Sequence, residues 1–380
     1  MSYQTISLFS GGMGLDLGLM RAGIDIRISQ DIDKWCGETM KANHHPHIIG
    51  DIKEMIKNDP CCSFLTGPAN ILKGDCFAVV GGPPCQSFST MGKRKGINDP
   101  RGSLFMEFVH VVKTIRPRFF VMENVKGLTS IKLDKEEHGF DNALDVILHA
   151  FKEIGYTKLV HGILNAVNYG TPEFRERLII IGSRDNEDIF LPHPTHFQTH
   201  QSPSHRWQTL QHVIKDLEHS PGEHDSFSEK RAKYIPHIPM GGNWKDLPET
   251  LQKEAMGGAY NSGGGKTGFY RRLSYLEPAP TLVTSPIQKA SMLIHPTQNR
   301  PLSTKEYARI QQFPDTWVFK GQTKDIYRQI GNAVPVGLGT AIGEALLSVA
   351  EQTHTVHSKR IKTNPYQRAL ESILNMDNKK

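Results

Sequence analysis

Apolar residues in the first half of the chain fall into short continuous runs separated by helical stripes. The runs at 5–9, 26–31, 75–80, 118–122, 158–164 and 177–182 are too short for helices and predict buried strands. The stretches 14–22, 33–43, 101–115 and 140–154 between them predict helices. In the third of these, Leu104, Phe108, Val111, Val112 and Ile115 recur at near-helical spacing and form a core-facing stripe. Strands alternating with helices predict a parallel sheet wound on both faces. The alternation stops after Arg184. Residues 186–295 are rich in Pro, His, Gly and Ser and carry neither period, so the shift reads as a domain boundary. Order returns at 303–313 and again at 336–347, an apolar helix. Past 351 the chain is polar, and Asn364 and Pro365 predict a last short helix with Leu370, Ile373 and Leu374 on one face. The expected architecture is α/β, a doubly wound and mostly parallel sheet with a second, smaller domain. Residues 1–185, completed by 325–350, form the main domain, 186–324 the smaller one, and 351–380 a tail.

Composition narrows the class. The 380 residues are 38% hydrophobic, enough for a sizeable core, and no run approaches the ~18 apolar residues of a membrane span. The first strand begins too early to leave room for a signal peptide. Five cysteines (Cys36, Cys61, Cys62, Cys76, Cys85) contain no Cys-x-x-Cys pair, which predicts neither a disulfide framework nor a zinc site. A reducing, cytoplasmic compartment is expected. The net charge of +6 permits a nucleic-acid partner without requiring one. Proline interrupts the spacing of His44, His45 and His47, and no metal is expected there. Ser262 to Thr267 has the look of a phosphate loop, but Tyr260 stands at its required first glycine and no apolar strand precedes it.

Segments at the ends of the expected strands carry the chemistry. After the run 75–80 comes Gly81-Gly82-Pro83-Pro84-Cys85-Gln86-Ser87-Phe88-Ser89. Two glycines turn the backbone, two prolines stiffen it, and a thiol is delivered at the end of a strand. The first strand leads through Ser10-Gly11-Gly12-Met13-Gly14 into the first helix, where free N–H groups meet a close-approaching ligand. Leu17 replaces the third glycine of a dinucleotide fingerprint, which disfavours a nicotinamide enzyme. Asp31 ends the second strand and can take ribose hydroxyls, and Asp51 follows the strand-like piece 47–50. Glu123 lies in Met122-Glu123-Asn124-Val125, at the same sheet edge as Cys85. Arg175 and Arg177 precede the run 178–181, and their spacing of two places both on one strand face.

Together these segments resemble the cytosine-5 DNA methyltransferases of the bacterial or phage restriction-modification type. The resemblance rests on the Pro-Cys-Gln around Cys85, the Glu-Asn-Val at Glu123 and the Arg-x-Arg at Arg175 and Arg177. It extends to the blocks 300–315 and 329–335, and the matching segments run in the family's order from residue 6 to about 345. It implies a Rossmann-like, S-adenosylmethionine-dependent catalytic domain followed by a target-recognition domain. Cofactor contacts carry over to Phe9, Gly11, Gly12, Gly14, Asp31 (ribose), Ile32, Asp51 and Ile52 (adenine), Pro84, Leu104 and Asn332. Contacts with double-stranded DNA carry over to Gln86, Ser89 and the basic loop Lys93, Arg94 and Lys95. In the recognition domain they carry over to Thr281, in a Thr-Leu pair common in the family. Lys230, Arg231, Lys233, Trp244, Lys266, Tyr270, Arg271 and Arg272 suit phosphate and major-groove contact by charge and ring. Three positions depart from the pattern. Met13 stands where glycine is usual, Ile32 where some members place an aromatic, and Glu173 where the family has glutamine. Weaker binding or altered packing is expected from the first two.

The implied reaction explains the residue types. Cytosine carbon-5 is a poor nucleophile until a thiolate adds at carbon-6. A free Cys is about a tenth thiolate near pH 7.5, a handicap of only ~1.4 kcal/mol. Charge building on the ring asks for an acid, yet a free Glu is protonated in fewer than about one molecule in a thousand at that pH. Glu123 therefore serves only in a closed, dry pocket that supplies roughly 4 kcal/mol of adjustment. Cys85, Glu123, Arg175 and Arg177 are the expected catalytic set, the arginines holding the base's carbonyl oxygen and a phosphate. A monomer acting by base flipping is expected, with a cognate restriction endonuclease working separately. Two other readings remain: a transfer-RNA methyltransferase of the same fold, and a non-catalytic DNA-binding module. The chain lacks a cysteine after Cys85, against the first, and keeps Cys85, Glu123 and Arg177, against the second.

Overall fold

The computed structural model describes residues 3–84, 104–133 and 139–362, with side chains as far as Gln352. In the first half the order is β1 (Gln4–Leu8), α1 (Gly14–Ala22), β2 (Asp25–Asp31), α2 (Lys34–Ala42), β3 (His47–Ile49), α3 (Ile52–Asn58), α4 (Ser63–Ala69), β4 (Ala78–Gly81), α5 (Leu104–Ile115), β5 (Phe119–Val125), α6 (Ala143–Glu153), β6 (Lys158–Asn165), β7 (Glu173–Phe174) and β8 (Glu176–Ser183). The expected helices are present: α1 has the expected bounds and α2 and α6 are one to three residues shorter at their ends, while residues 101–103 and the expected short helix from Asn364 lie outside the described residues. Asp33 and Asn142 start α2 and α6 by accepting backbone N–H bonds, which fixes those boundaries. The helices α3 and α4 carry too little periodicity over seven residues each to announce themselves.

The strands form one seven-stranded sheet in the order β3-β2-β1-β4-β5-β8-β6. The first five are parallel, whereas β8 runs antiparallel to both β5 and β6. The reversal follows from chain length. Residues 166–175 are too few for the crossover of a dozen or more that a parallel return needs. Alternate residues of the central strands feed two cores. Val79, Phe120, Met122, Leu178 and Ile180 pack with Phe105, Phe108, Val112 and Phe151 on one face. Val80, Phe119, Val121, Ile179 and Ile181 pack with Leu15, Leu19, Leu338, Ile342 and Leu346 on the other. The sheet is therefore buried on both sides, which accounts for the continuous apolar run in β8.

Beyond β8 come α7 (Leu210–Ile214), α8 (Glu229–Ala232), α9 (Glu249–Met256), β9 (Ala279–Pro280), α10 (Thr304–Ile310), α11 (Thr323–Asn332) and α12 (Val336–Lys362). This half is held by two smaller cores, one around Tyr307, Tyr327 and Phe313 and one around Tyr234, Trp244 and Met256. By length and composition Thr323–Gln352 could cross a membrane, but 78% of its apolar window is buried inside the protein. Its α12 part lies against α1 and packs on the second face of the sheet.

Candidate active site

Sheet order reverses between β1 and β4, and a crevice opens beyond the carboxyl ends of the strands on either side of such a point. Here it is a cavity of about 680 Å³ lined from the ends of β1, β2, β4 and β5, the start of α3 and the end of α11. Of the expected cofactor residues, Phe9, Gly11, Asp31, Ile32, Asp51, Ile52, Pro84, Leu104 and Asn332 line it. Gly12 and Gly14 do not. Gly14 packs directly on Ala333 and Val334, and Gly12 on the carbonyl of Gln329, so both serve the seating of α1 against the following elements.

The turn after β1 is held by Asp31. Its carboxylate accepts from the backbone N–H of Gly11 and of Asp33, each at 2.8 Å. Burial pushes the Asp31 carboxyl up, and those two N–H bonds oppose the shift. Met13 occupies a left-handed conformation (φ 68°) that glycine adopts without strain. Its side chain is fully buried against Cys36 and Met40, outside the cavity, so the departure at this position is one of packing. Ile32 is 64% exposed at the cavity wall. Beneath the turn, Asp16 accepts from the hydroxyls of Ser7 at 2.6 Å and Ser29 at 2.8 Å. Burial raises its carboxyl to about 6 against those hydrogen bonds. An acidic residue in a first helical turn was the sequence signal for it.

At the other end of the cavity, the register of β5 and β8 pairs Val125 with Arg177. Glu123, two residues earlier on the same face, is thus the diagonal neighbour of Arg177. Arg177 Nε donates to Glu123 Oε1 at 2.8 Å. Burial drives the Glu123 carboxyl upward, while Arg177 and then Arg175 pull it back. The carboxyl is thereby oriented by a cation yet desolvated. A side chain at Gly82 would put a Cβ 2.6 Å from Glu123 Oε2, so glycine there leaves the carboxyl its place beside the turn that leads toward Cys85. Asn124 Nδ2 donates to the Pro83 carbonyl at 2.8 Å and ties that turn to the end of β5. The motif contained Asn124, but its role needed the three-dimensional pairing. Cys85, Gln86, Ser89, Lys93, Arg94 and Lys95 lie outside the described residues.

Several expected nucleic-acid contacts are corrected. Arg175 lies between β7 and β8, which belong to different sheets, and lines the cavity together with Arg177. Arg175 is buried, with Nη1 and Nη2 donating to the carbonyls of Leu282 (3.0 Å) and Gly331 (2.6 Å), so it has no hold on a phosphate. Arg272 is 4% exposed and donates to the carbonyls of Ile235, Ile238, His295 and Gln298. It organises the second-half core and is unavailable to DNA. Lys266 is likewise spent on the carbonyls of Ala259 and Tyr260, and Trp244 and Tyr270 are buried. Arg271 is partly exposed, and Thr281 is exposed. No cluster of metal-ligating side chains occurs among the described residues.

Residues 3–348 match the family model of C-5 cytosine-specific DNA methylases. The type II methyltransferase M.PspPI of Psychrobacter sp. is 39% identical over 356 residues, 91% of this chain and 79% of the relative. M.Eco47II of Escherichia coli is 35% identical over 92% of this chain and 80% of its own length. M.Sau96I of Staphylococcus aureus is 39% identical over 92% and 77%. Among solved structures, a prophage-encoded DNA modification methyltransferase of E. coli superposes with a TM-score of 0.61 at 23% identity, covering 92% of this chain and all of that one. The Dnmt2 methyltransferase of S. pombe does so with a TM-score of 0.56 at 20% identity, covering 91% and 98%. Those two likenesses establish a shared fold.

Proposed function

The chain belongs to the C-5 cytosine-specific DNA methylases, and on that footing we propose that it methylates carbon-5 of a cytosine within one duplex sequence, with S-adenosylmethionine as donor and Cys85 as nucleophile. The cavity suits that cofactor. Asp31 and Asp51 offer carboxylates for ribose hydroxyls and the adenine side, while Ile52 and Leu104 supply apolar wall. Gln30 Oε1 is buried there without a partner, an acceptor awaiting a donor. When bound, the cofactor supplies an electrophilic methyl group. Asp31→Ala is expected to weaken cofactor binding by about 1.5–3 kcal/mol through a lost charge-assisted contact. Calorimetry giving the wild-type affinity would remove Asp31 from the site.

The observation that carries the proposal is the desolvated Glu123, held by Arg177 beside the turn that precedes Cys85. Thiolate addition at carbon-6 places negative charge on carbon-5 and the ring nitrogen N3, and Glu123 stands ready to share a proton at that nitrogen. Arg177 orients the carboxyl throughout. A base inside the duplex stack cannot reach this cavity, so the target is flipped out. The relatives' type II designation supports a modification role, with a separate endonuclease cutting the same sequence and both acting in the bacterial cytoplasm. Bisulfite sequencing of DNA from expressing cells should find 5-methylcytosine confined to one short sequence. Unmodified DNA alongside methylated transfer RNA would refute the reading.

A further inference from the structure

Residues 172–175 and 279–282 are joined more tightly than a two-residue strand pair requires. β7 and β9 run parallel, Ala279 N–H donates to the Pro172 carbonyl at 2.8 Å, and the Thr281 hydroxyl donates to the Phe174 carbonyl at 2.7 Å. Beyond the strand pair, both backbone polar groups of Leu282 are taken by buried side chains. Its N–H donates to Glu173 Oε1 at 2.6 Å, and its carbonyl accepts from Arg175. Arg175 also holds the Gly331 carbonyl, where the end of α11 lies so close to Val283 that a Cβ on Gly331 would fall 2.6 Å from the Val283 carbonyl. One buried pair thus fixes three pieces of chain: the approach to β8 with Arg177, the segment bearing Thr281, and the end of α11 beside Asn332 in the cavity wall.

Glu173 stands where glutamine is usual in the resembled family, and the geometry tells which part of the side chain matters. The bond to Leu282 uses one acceptor oxygen, which glutamine also has. The second oxygen, Oε2, is buried without a partner, and the approach of Arg175 Nη1 to Oε1 is long, at 3.4 Å. A carboxylate is therefore more than the grip on Leu282 requires. Burying a charge pair costs desolvation that a neutral amide avoids. The acceptor at Oε1, placed by the zippered strands, is the functional element.

We propose that Glu173 is a positioning residue for DNA recognition: its Oε1 grips the Leu282 amide and so fixes the exposed Thr281 relative to Glu123 and Arg177. This rests on the proposed methylation of duplex DNA, and wild-type protein must first methylate the duplex site mapped by bisulfite sequencing. Failure at that step counts against the function, and failure later counts against this inference alone.

The test compares Glu173→Met, which keeps the volume and removes the acceptor, with Glu173→Gln, which keeps the acceptor and removes the charge. Steady-state kinetics on the mapped duplex and on duplexes with one base pair changed are measured below the melting temperature of each variant. Glu173→Met should raise KM for DNA about ten-fold, the size of one lost buried hydrogen bond, and narrow the gap between correct and altered duplexes. Its KM for S-adenosylmethionine should stay within about two-fold, a split that general loosening of the fold does not produce. Glu173→Gln should restore both KM and discrimination. A wild-type KM for DNA in Glu173→Met overturns the proposal, as does a KM in Glu173→Gln raised as far as in Glu173→Met. Should Glu173→Met fail to melt cooperatively, Glu173→Gln decides alone: wild-type KM and discrimination support the acceptor role, and a raised KM refutes it.

Discussion

Glu123→Gln is expected to lower kcat by about 10²–10⁴ while leaving affinity for duplex DNA within about two-fold. The amide keeps an oxygen for Arg177 and preserves the shape beside Gly82, so the pocket should remain intact. It cannot carry a transferable proton. The effect should also appear in the pH dependence. Burial raises the Glu123 carboxyl above the usual range, so the proton-bearing form persists to higher pH than for a free Glu and is lost as pH rises through the raised value. Thiolate formation runs the opposite way, increasing with pH. Wild-type kcat should therefore trace a bell whose descending limb belongs to Glu123, and Glu123→Gln should lack that limb. An unchanged kcat, or a bell retained in the variant, would assign the acid elsewhere.

Much of the catalytic half was legible because its signals are local. Apolar runs marked the strands, and the alternation of Val79 with Val80 and of Phe119 with Phe120 supplies both faces of one sheet. The carboxyl ends of the strands brought Asp31, Asp51 and Glu123 to a single cavity. What escaped depends on contacts distant in sequence. Charge and composition alone made Arg272, Lys266, Trp244 and Tyr270 resemble a nucleic-acid surface. Which guanidinium is solvated, and which is spent on carbonyls, depends on turns that bring 235–238 and 295–298 around Arg272. Arg175 failed for a related reason. The spacing of two does bring Arg175 and Arg177 to one cavity, but it does not tell which guanidinium is spent on backbone carbonyls. For Arg175 the partners, Leu282 and Gly331, are 107 and 156 residues away. Met13 was flagged as a departure, but its backbone conformation and the side pocket that accepts its side chain appear only in three dimensions.

The central claim is covalent attack by Cys85, and a fluorinated substrate tests it most directly. After methylation the intermediate is released only by loss of the hydrogen at carbon-5. Fluorine at that position cannot leave as a cation, so the protein should stall bound to its DNA. Full accumulation should require S-adenosylmethionine, because only the methylated ring is barred from reversing. Cys85→Ser should abolish the adduct, since a hydroxyl is far less ionised than a thiol near neutral pH, and Glu123→Gln should form it slowly while still binding DNA. The buried thiols offer a contrast within the same chain. Burial pushes Cys62 and Cys76 up to about 12, which leaves them almost wholly protonated and inert. The measurement is a denaturing gel of wild-type protein with a 5-fluorocytosine duplex and S-adenosylmethionine, followed by mass mapping of the linked peptide. A single cofactor-dependent adduct at Cys85 is the predicted result; an adduct at Cys62 or Cys76, or none from an enzyme that methylates the unfluorinated duplex, would contradict it.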